Sequence, residues 1–172
     1  MTEPIVRTFL ALDDPAALRP AGPPRVPGVE VRRVDPPDGA VSRFFYVEVG
    51  GPHAWVDNLG RSESDWQAWA EGVETWVATV AGRAREPDAR GSDAGYYELR
   101  ADDGSVEVAY FGLRTAFQGV GLGGFLLTHA LRRAFALAPR VWLHTNTQDG
   151  PAALPNYLAR GLRPFRSETL SR

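Results

Sequence analysis

Val106 to Leu127, VEVAYFGLRTAFQGVGLGGFLL, passes from a strand-like run through a glycine-rich turn straight into an amphipathic helix. No other stretch restricts the possible folds as much. Gln118, Gly121 and Gly123 spell Q-x-x-G-x-G, with further glycines at Gly119 and Gly124. Glycine lacks a Cβ, so such a turn can expose several backbone N–H groups on one side. The first amides of the following helix have no intrahelical acceptor, and the helix dipole places partial positive charge beside them. The combination is an anion cradle, most naturally for phosphate. Taken alone, the same glycines would also suit an ordinary turn or close helix packing, so their context decides.

That context is a chain of alternating and helical patterns. Ile5 to Leu12 reads as a strand and Asp13 to Arg19 as a short helical turn, followed by the loop PAGPPRVPG. Val29 to Val34 alternates as a half-buried strand. Asp35 before Pro36 and Pro37 is expected to start a helix that Gly50 and Gly51 stop. Ser62 with Asp65 resembles a capping box for a second helix carrying Trp66 and Trp69, whose rings are expected to pack in the core. Val73 to Val80 reads as a strand, Ala81-Gly82-Arg83 as a turn and Arg85 to Asp93 as an exposed loop. Gly95 to Arg100 and Ser105 to Leu113 are strands joined through Asp103-Gly104, a strong hairpin signal, so the centre is an antiparallel meander. After the turn, Leu122, Phe125, Leu126, His129, Ala130 and Leu137 keep to one helical stripe. Val141 to Thr145, a helix from about Ala152 to Arg160 and a strand from Leu162 to Glu168 complete the order.

Composition removes several chemistries. The 172 residues contain no cysteine, which excludes disulfides, thiolate metal sites and a cysteine acyl-enzyme. All 19 Lys+Arg residues are arginine, so no lysine can form a Schiff base. A net charge of −2 gives no broadly nucleic-acid-binding surface. No run reaches transmembrane length and no signal pattern opens the chain, so no membrane role and a cytoplasmic location are expected. His53, His129 and His144 have no metal-ligand spacing, so no metal is implied.

In Ser105 to Leu113, strict alternation puts Ser105, Glu107, Ala109, Phe111 and Leu113 on one face and Val106, Val108, Tyr110 and Gly112 on the other. Both faces are mostly apolar, as in a strand covered on both sides. Glu107 is then an ionisable group in a dry place, where desolvation raises a carboxyl pKa toward that of a useful base. The alternative is that it reaches water near the hairpin end. His144 is a reserve candidate for the base.

These features together resemble the GNAT superfamily of acyl-CoA-dependent N-acyltransferases, whose signature R/Q-x-x-G-x-G/A joins a strand to a helix. Gln118 to Gly123 matches it in full, and Ala153, Tyr157, Gly161 and Leu162 resemble a second element of that family. The resemblance is best from about Val73 to Phe165, with the N-terminal half compatible with a variable acceptor region. It implies an α+β (α/β sandwich) fold in one domain, 1–172, with a mixed, mostly antiparallel central sheet flanked by helices. The donor implied is acetyl-CoA. Its pyrophosphate would rest on the amides of Gln118, Gly119, Val120, Gly121, Leu122 and Gly123. The backbone around Leu113, where the family's strand carries a bulge, would hold the pantetheine and polarise the thioester. Tyr157 would protonate the leaving thiolate, and Glu107 would be the general base. An asparagine frequent in relatives is Gly150 here, so its contact is expected to be lost or taken by Asn146 or Asn156.

The reaction implied is direct transfer of the acetyl group to an amine in a ternary complex, the acceptor a small molecule ahead of a protein, in a possible homodimer. The rival from another class is a non-catalytic acyl-CoA-binding sensor or interaction module on the same fold. A dinucleotide site, from Gly119-x-Gly121-x-x-Gly124, ranks lower because the motif follows an antiparallel meander instead of the first strand of a βαβ unit. Trp55, Trp66, Trp69, Tyr96 and Tyr97 could line an acceptor pocket or fill the core.

Overall fold

A computed structural model describes residues 3–82 and 91–171. The expected turn at Arg83 and most of the expected loop at Arg85 to Asp93 lie outside the described residues. Seven strands, β1 (Ile5–Leu12), β2 (Val29–Arg33), β3 (Glu74–Val80), β4 (Asp93–Asp102), β5 (Ser105–Leu113), β6 (Arg140–Asn146) and β7 (Arg163–Leu170), form one sheet in the order β2-β3-β4-β5-β6-β1-β7. The meander β2 to β5 is antiparallel throughout, as its hairpin signals require. Asp102 pairs with Ser105, and Gly104 takes the left-handed conformation at φ 74° that closes the turn. β1 leaves its sequence neighbour β2 and inserts between β6 and β7. Nothing in its local pattern encodes that distant position.

β5 and β6 form the sheet's parallel pair, and their pairing covers only Ser105–Arg140, Val106–Val141 and Glu107–Trp142. Beyond Glu107 the two strands part. The sheet is thereby split on one side, and β5 from Val108 onward has no ladder partner facing β6.

Helices cover both faces. On one side lie α1 (Gly39–Gly50) and α2 (Glu63–Glu71); on the other lie α3 (Leu122–Phe135) and α4 (Ala153–Ala159). Asp38 caps α1, its carboxylate accepting from the Ala40 amide at 2.9 Å, so the helix starts three residues after the expected Asp35. The prolines between them supply no amide to a helix start. The capping box at Ser62 and Asp65 is present as expected. Gly39 lets the two helices meet: a Cβ there would lie 2.5 Å from the α2 backbone. The main core joins α3 and α4 to the sheet through Leu126, Leu127, Leu131, Tyr97, Leu99, Val106 and Val141, while Phe45, Val49, Val77 and Tyr96 form a second core beneath α1.

A β-bulge corrects the strict alternation expected of β5. Glu98 pairs with Tyr110 but Leu99 pairs with Val108, so Ala109 is an extra residue. An extra residue shifts every later side chain to the opposite face. Val106, Val108, Phe111 and Leu113 consequently pack on the α3 side, while Tyr110 packs with the α1 cluster and Gly112 lies against Val49 of α1. The bulge expected around Leu113 therefore lies four residues earlier.

Candidate active site

The glycine turn comes first because the chain is built around it. Gly119 and Gly121 have φ of 80° and 79°, and Gly121 is the residue before α3. Among the described residues, no protein acceptor takes up the amides of Gly119 to Gly123. With the N-terminus of a fourteen-residue helix behind them, these free donors suit an anion. The loop after β1, which reads in sequence merely as an interruption, is the outer wall of this turn. Arg25 donates its amide to the Val120 carbonyl and its guanidinium to the Gly119 carbonyl, both at 2.8 Å. Asn156 of α4 approaches from the other side, its Nδ2 3.7 Å from where a Gly123 Cβ would stand. Gln118 Nε2 donates to the Leu113 carbonyl at 3.4 Å, which ties the start of the turn to the end of β5.

A cleft of about 820 Å³ opens where β5 and β6 diverge, lined by Glu107, Ala109, Tyr110, His144, Tyr157 and residues of the α1–α2 loop. It reaches from the α1–α2 face of the sheet to Tyr157 on α4. A second groove, between the outer surfaces of α1 and α2, touches none of these groups.

Tyr157 is buried, with its ring edge-on to Phe111 at 6.2 Å. Burial, and then the charge of Asp149, raises its pKa, so the phenol keeps its proton at neutral pH. Its hydroxyl has no protein partner among the described residues. Asp149 itself is fixed by bonds from Thr145 Oγ1 at 2.6 Å, the Asn146 amide at 3.0 Å and Trp55 Nε1 at 3.3 Å.

Glu107 is buried as expected, with 6% of its surface exposed, but it is not alone. Arg100, its cross-strand partner, donates Nε at 3.0 Å and Nη2 to the same carboxylate oxygen. His144, on β6 two residues beyond the last paired position, opens into the cleft. Although its surface is open, desolvation by the cleft walls and the Arg7 charge hold its pKa below the ordinary histidine value, which leaves a neutral imidazole at neutral pH.

Glu98 escapes a sequence reading altogether. It is 1% exposed, accepts from Trp69 Nε1 and from Thr75 Oγ1 at 3.2 Å, and burial raises its pKa. A lone glutamate in an alternating strand gives no sign that it faces inward. The aromatics divide: Tyr96, Tyr97 and Trp66 are core residues, while Trp55 and Trp69 line the cleft. His129 donates nothing to the site, being engaged with the Tyr97 hydroxyl at 2.8 Å. Gly150, at the position where the resemblance leads one to expect asparagine, abuts the His53 ring instead.

The fold as a whole is similar to those of several solved N-acetyltransferases. A GCN5-related N-acetyltransferase from Sphaerobacter thermophilus matches with a TM-score of 0.69 and 14% identity over 98% of this chain and 51% of that one. One from Kribbella flavida matches at 0.63 and 20% over 95% and 56%. A tandem GNAT protein of the clavulanic acid biosynthesis pathway matches at 0.58 and 18% over 98% and 53%. The chain thus spans about half the length of these structures. No curated protein matches it. The family model of the acetyltransferase (GNAT) family matches residues 41–162, and the chain belongs to that family. The match begins at Val41, so it takes in α1 and α2 as well as the segment from Val73 on which the resemblance was best.

Proposed function

We propose that the protein transfers an acetyl group from acetyl-CoA to an amine. The observation that carries this reading is the pairing of free amides at Gly119 to Gly123 with a cleft that runs from Tyr157 to Glu107 and His144. The free donors, the two left-handed glycines and the Arg25 guanidinium beside them fit the pyrophosphate of coenzyme A. When bound, the coenzyme supplies a thioester carbonyl open to attack by nitrogen.

The protein's own residues then orient the reactants and move protons. An ammonium group has no lone pair, so a base must first remove a proton. Glu107 is in the cleft, but two hydrogen bonds from Arg100 engage it. His144 is neutral and holds a free lone pair, so it shares the role, directly or through water. The β6-facing edge of β5, which has no ladder partner after Glu107, and the bulged Ala109 offer donors to a developing oxyanion. Tyr157, which keeps its proton at neutral pH, would supply it to the donor's sulfur as the carbon–sulfur bond breaks. No covalent acyl-enzyme is needed, so amine and donor meet in one ternary complex.

The test is calorimetric titration with acetyl-CoA beside NAD, followed by an amine screen with Glu107→Gln and His144→Gln. Micromolar binding of acetyl-CoA alone, with turnover lowered in one or both variants and donor affinity retained, is the expected result. Binding of NAD alone, or of neither, would sink acetyl transfer. Acetyl-CoA binding with no amine turned over would favour an acyl-CoA sensor, for which the ion-paired state of Glu107 is the supporting observation.

A further inference from the structure

Three guanidiniums line the cleft, and they are not equivalent. Arg7 pairs with Glu168 at 3.1 Å and Arg100 pairs with Glu107. Arg61, at the end of the α1–α2 loop, has no ion pair among the described residues. Its guanidinium carbon stands 4.9 Å from the Trp66 ring centroid and 5.0 Å from that of Trp69, so two indoles fix its orientation. Its Nη1 is buried and bonds to nothing. Glu98, whose charge Arg61 senses, is already engaged by Trp69 and Thr75. A buried charged donor without an acceptor is costly, and native proteins keep few of them. Arg7 Nε, in the same cleft, is a second donor of this kind.

We propose that the acceptor amine carries a carboxylate, which Arg61 receives in this cleft; the substrate class is then amino acids, not simple amines. The inference rests on the acetyl-transfer reading for what happens at nitrogen, but not for what binds. A guanidinium held against two indoles at the cleft wall keeps its planar fork in one orientation, and that fork matches a carboxylate oxygen pair. The same cleft contains the carboxylates of Glu107, paired with Arg100, and Asp149, held by Thr145, Asn146 and Trp55, whose remaining lone pairs suit an ammonium group. A zwitterion finds complementary charge at both ends. Trp55, Trp69 and Tyr110 supply apolar wall for a side chain, with Asn58 fixing the Tyr110 hydroxyl at 2.7 Å.

The experiment is calorimetric titration of the full chain with the common L-amino acids and with their carboxamides, which keep the amine and lose the carboxylate. At least one amino acid should bind about tenfold or more tightly than its amide, as expected for a charge-assisted bond. Arg61→Met, which keeps the stem between the indoles, should erase that preference, and Arg61→Lys should restore part of it. Thermal melts establish that the variants fold; if Arg61→Met does not, the wild-type ratio and Arg61→Lys decide. Equal binding of amides, or no binding by any amino acid, overturns the proposal. Amino acid binding without acetyl-CoA binding would leave this site standing and remove acetyl transfer. Transfer to carboxylate-free amines as fast as to amino acids would do the reverse.

Discussion

Glu107 and Arg100 face each other across the β4–β5 hairpin, and that pair changes what either residue can do. A carboxylate that the strand pattern places in a dry setting turns out to have its own cation, two residues before the hairpin turn. Tyr157, by contrast, meets its expected position with a free hydroxyl, and its role can be isolated. Tyr157→Phe should lower turnover about 10²-fold, in line with loss of a positioned proton donor, while calorimetry finds acetyl-CoA affinity unchanged. Unchanged turnover would discard the acid role. Gly50 tests a different kind of residue. A Cβ there would lie 2.4 Å from the Trp55 ring, whose Nε1 reaches Asp149 at 3.3 Å. Gly50→Ala should therefore cost about 1–3 kcal/mol by overpacking, read as a lower melting temperature. It should also loosen the link between the α1–α2 loop and the loop before α4.

At the scale of elements, the glycine turn and α3 were legible in sequence because their determinants are local. Left-handed glycines, a helix start and an apolar stripe all lie within one short segment. Gly121→Ala should strain the turn by about 1–2 kcal/mol, since an L-residue must adopt φ near 79°. Acetyl-CoA affinity should fall at least tenfold by calorimetry if the free amides form the donor site. Arg25→Ala tests the loop's contribution more gently, with a smaller loss expected. The bulge at Ala109 was not legible. A one-residue insertion in a ladder is set by what β4 pairs with, and the apolar alternation of β5 reads equally well without it. The helix start at Asp38 was missed for a related reason: the run Asp35-Pro36-Pro37-Asp38 offers two caps, and packing of Gly39 against α2 selects one.

For the whole molecule, titratable groups whose pKa values shift on folding give stability an opposed pH dependence. Desolvation lowers the pKa of half-buried His129, and desolvation within the cleft, with the Arg7 charge, lowers that of the more exposed His144, so below about pH 6.5 the unfolded chain takes protons that the folded one refuses. Glu74 adds to this: its bond from Arg133 lowers its pKa, so its contribution is present above about 4.5 and is lost as pH falls through the folded value. Glu98 acts in the other direction. Its raised pKa means the unfolded chain ionises first, and stability falls as pH rises from 4.5 through the folded value. Glu98→Gln should remove that second decline in urea melts and leave the acid-side decline intact. If both limbs persist, Glu98 does not ionise as its burial requires.

The sequence by itself determined the elements whose signals are short-range: the hairpin at Asp103-Gly104, the capping box at Ser62, the glycine turn leading into α3, and Tyr157 on α4. It thereby determined the family. Only the tertiary structure decided where β1 inserts, where β5 and β6 part, and which charged groups meet. Those outcomes depend on contacts between residues far apart in the chain, Arg25 with Gly119, Trp55 with Asp149 and Trp69 with Glu98 among them. A polar or aromatic side chain looks the same in sequence whether it faces core, cleft or water. Its partners, which the fold alone supplies, determine its chemistry.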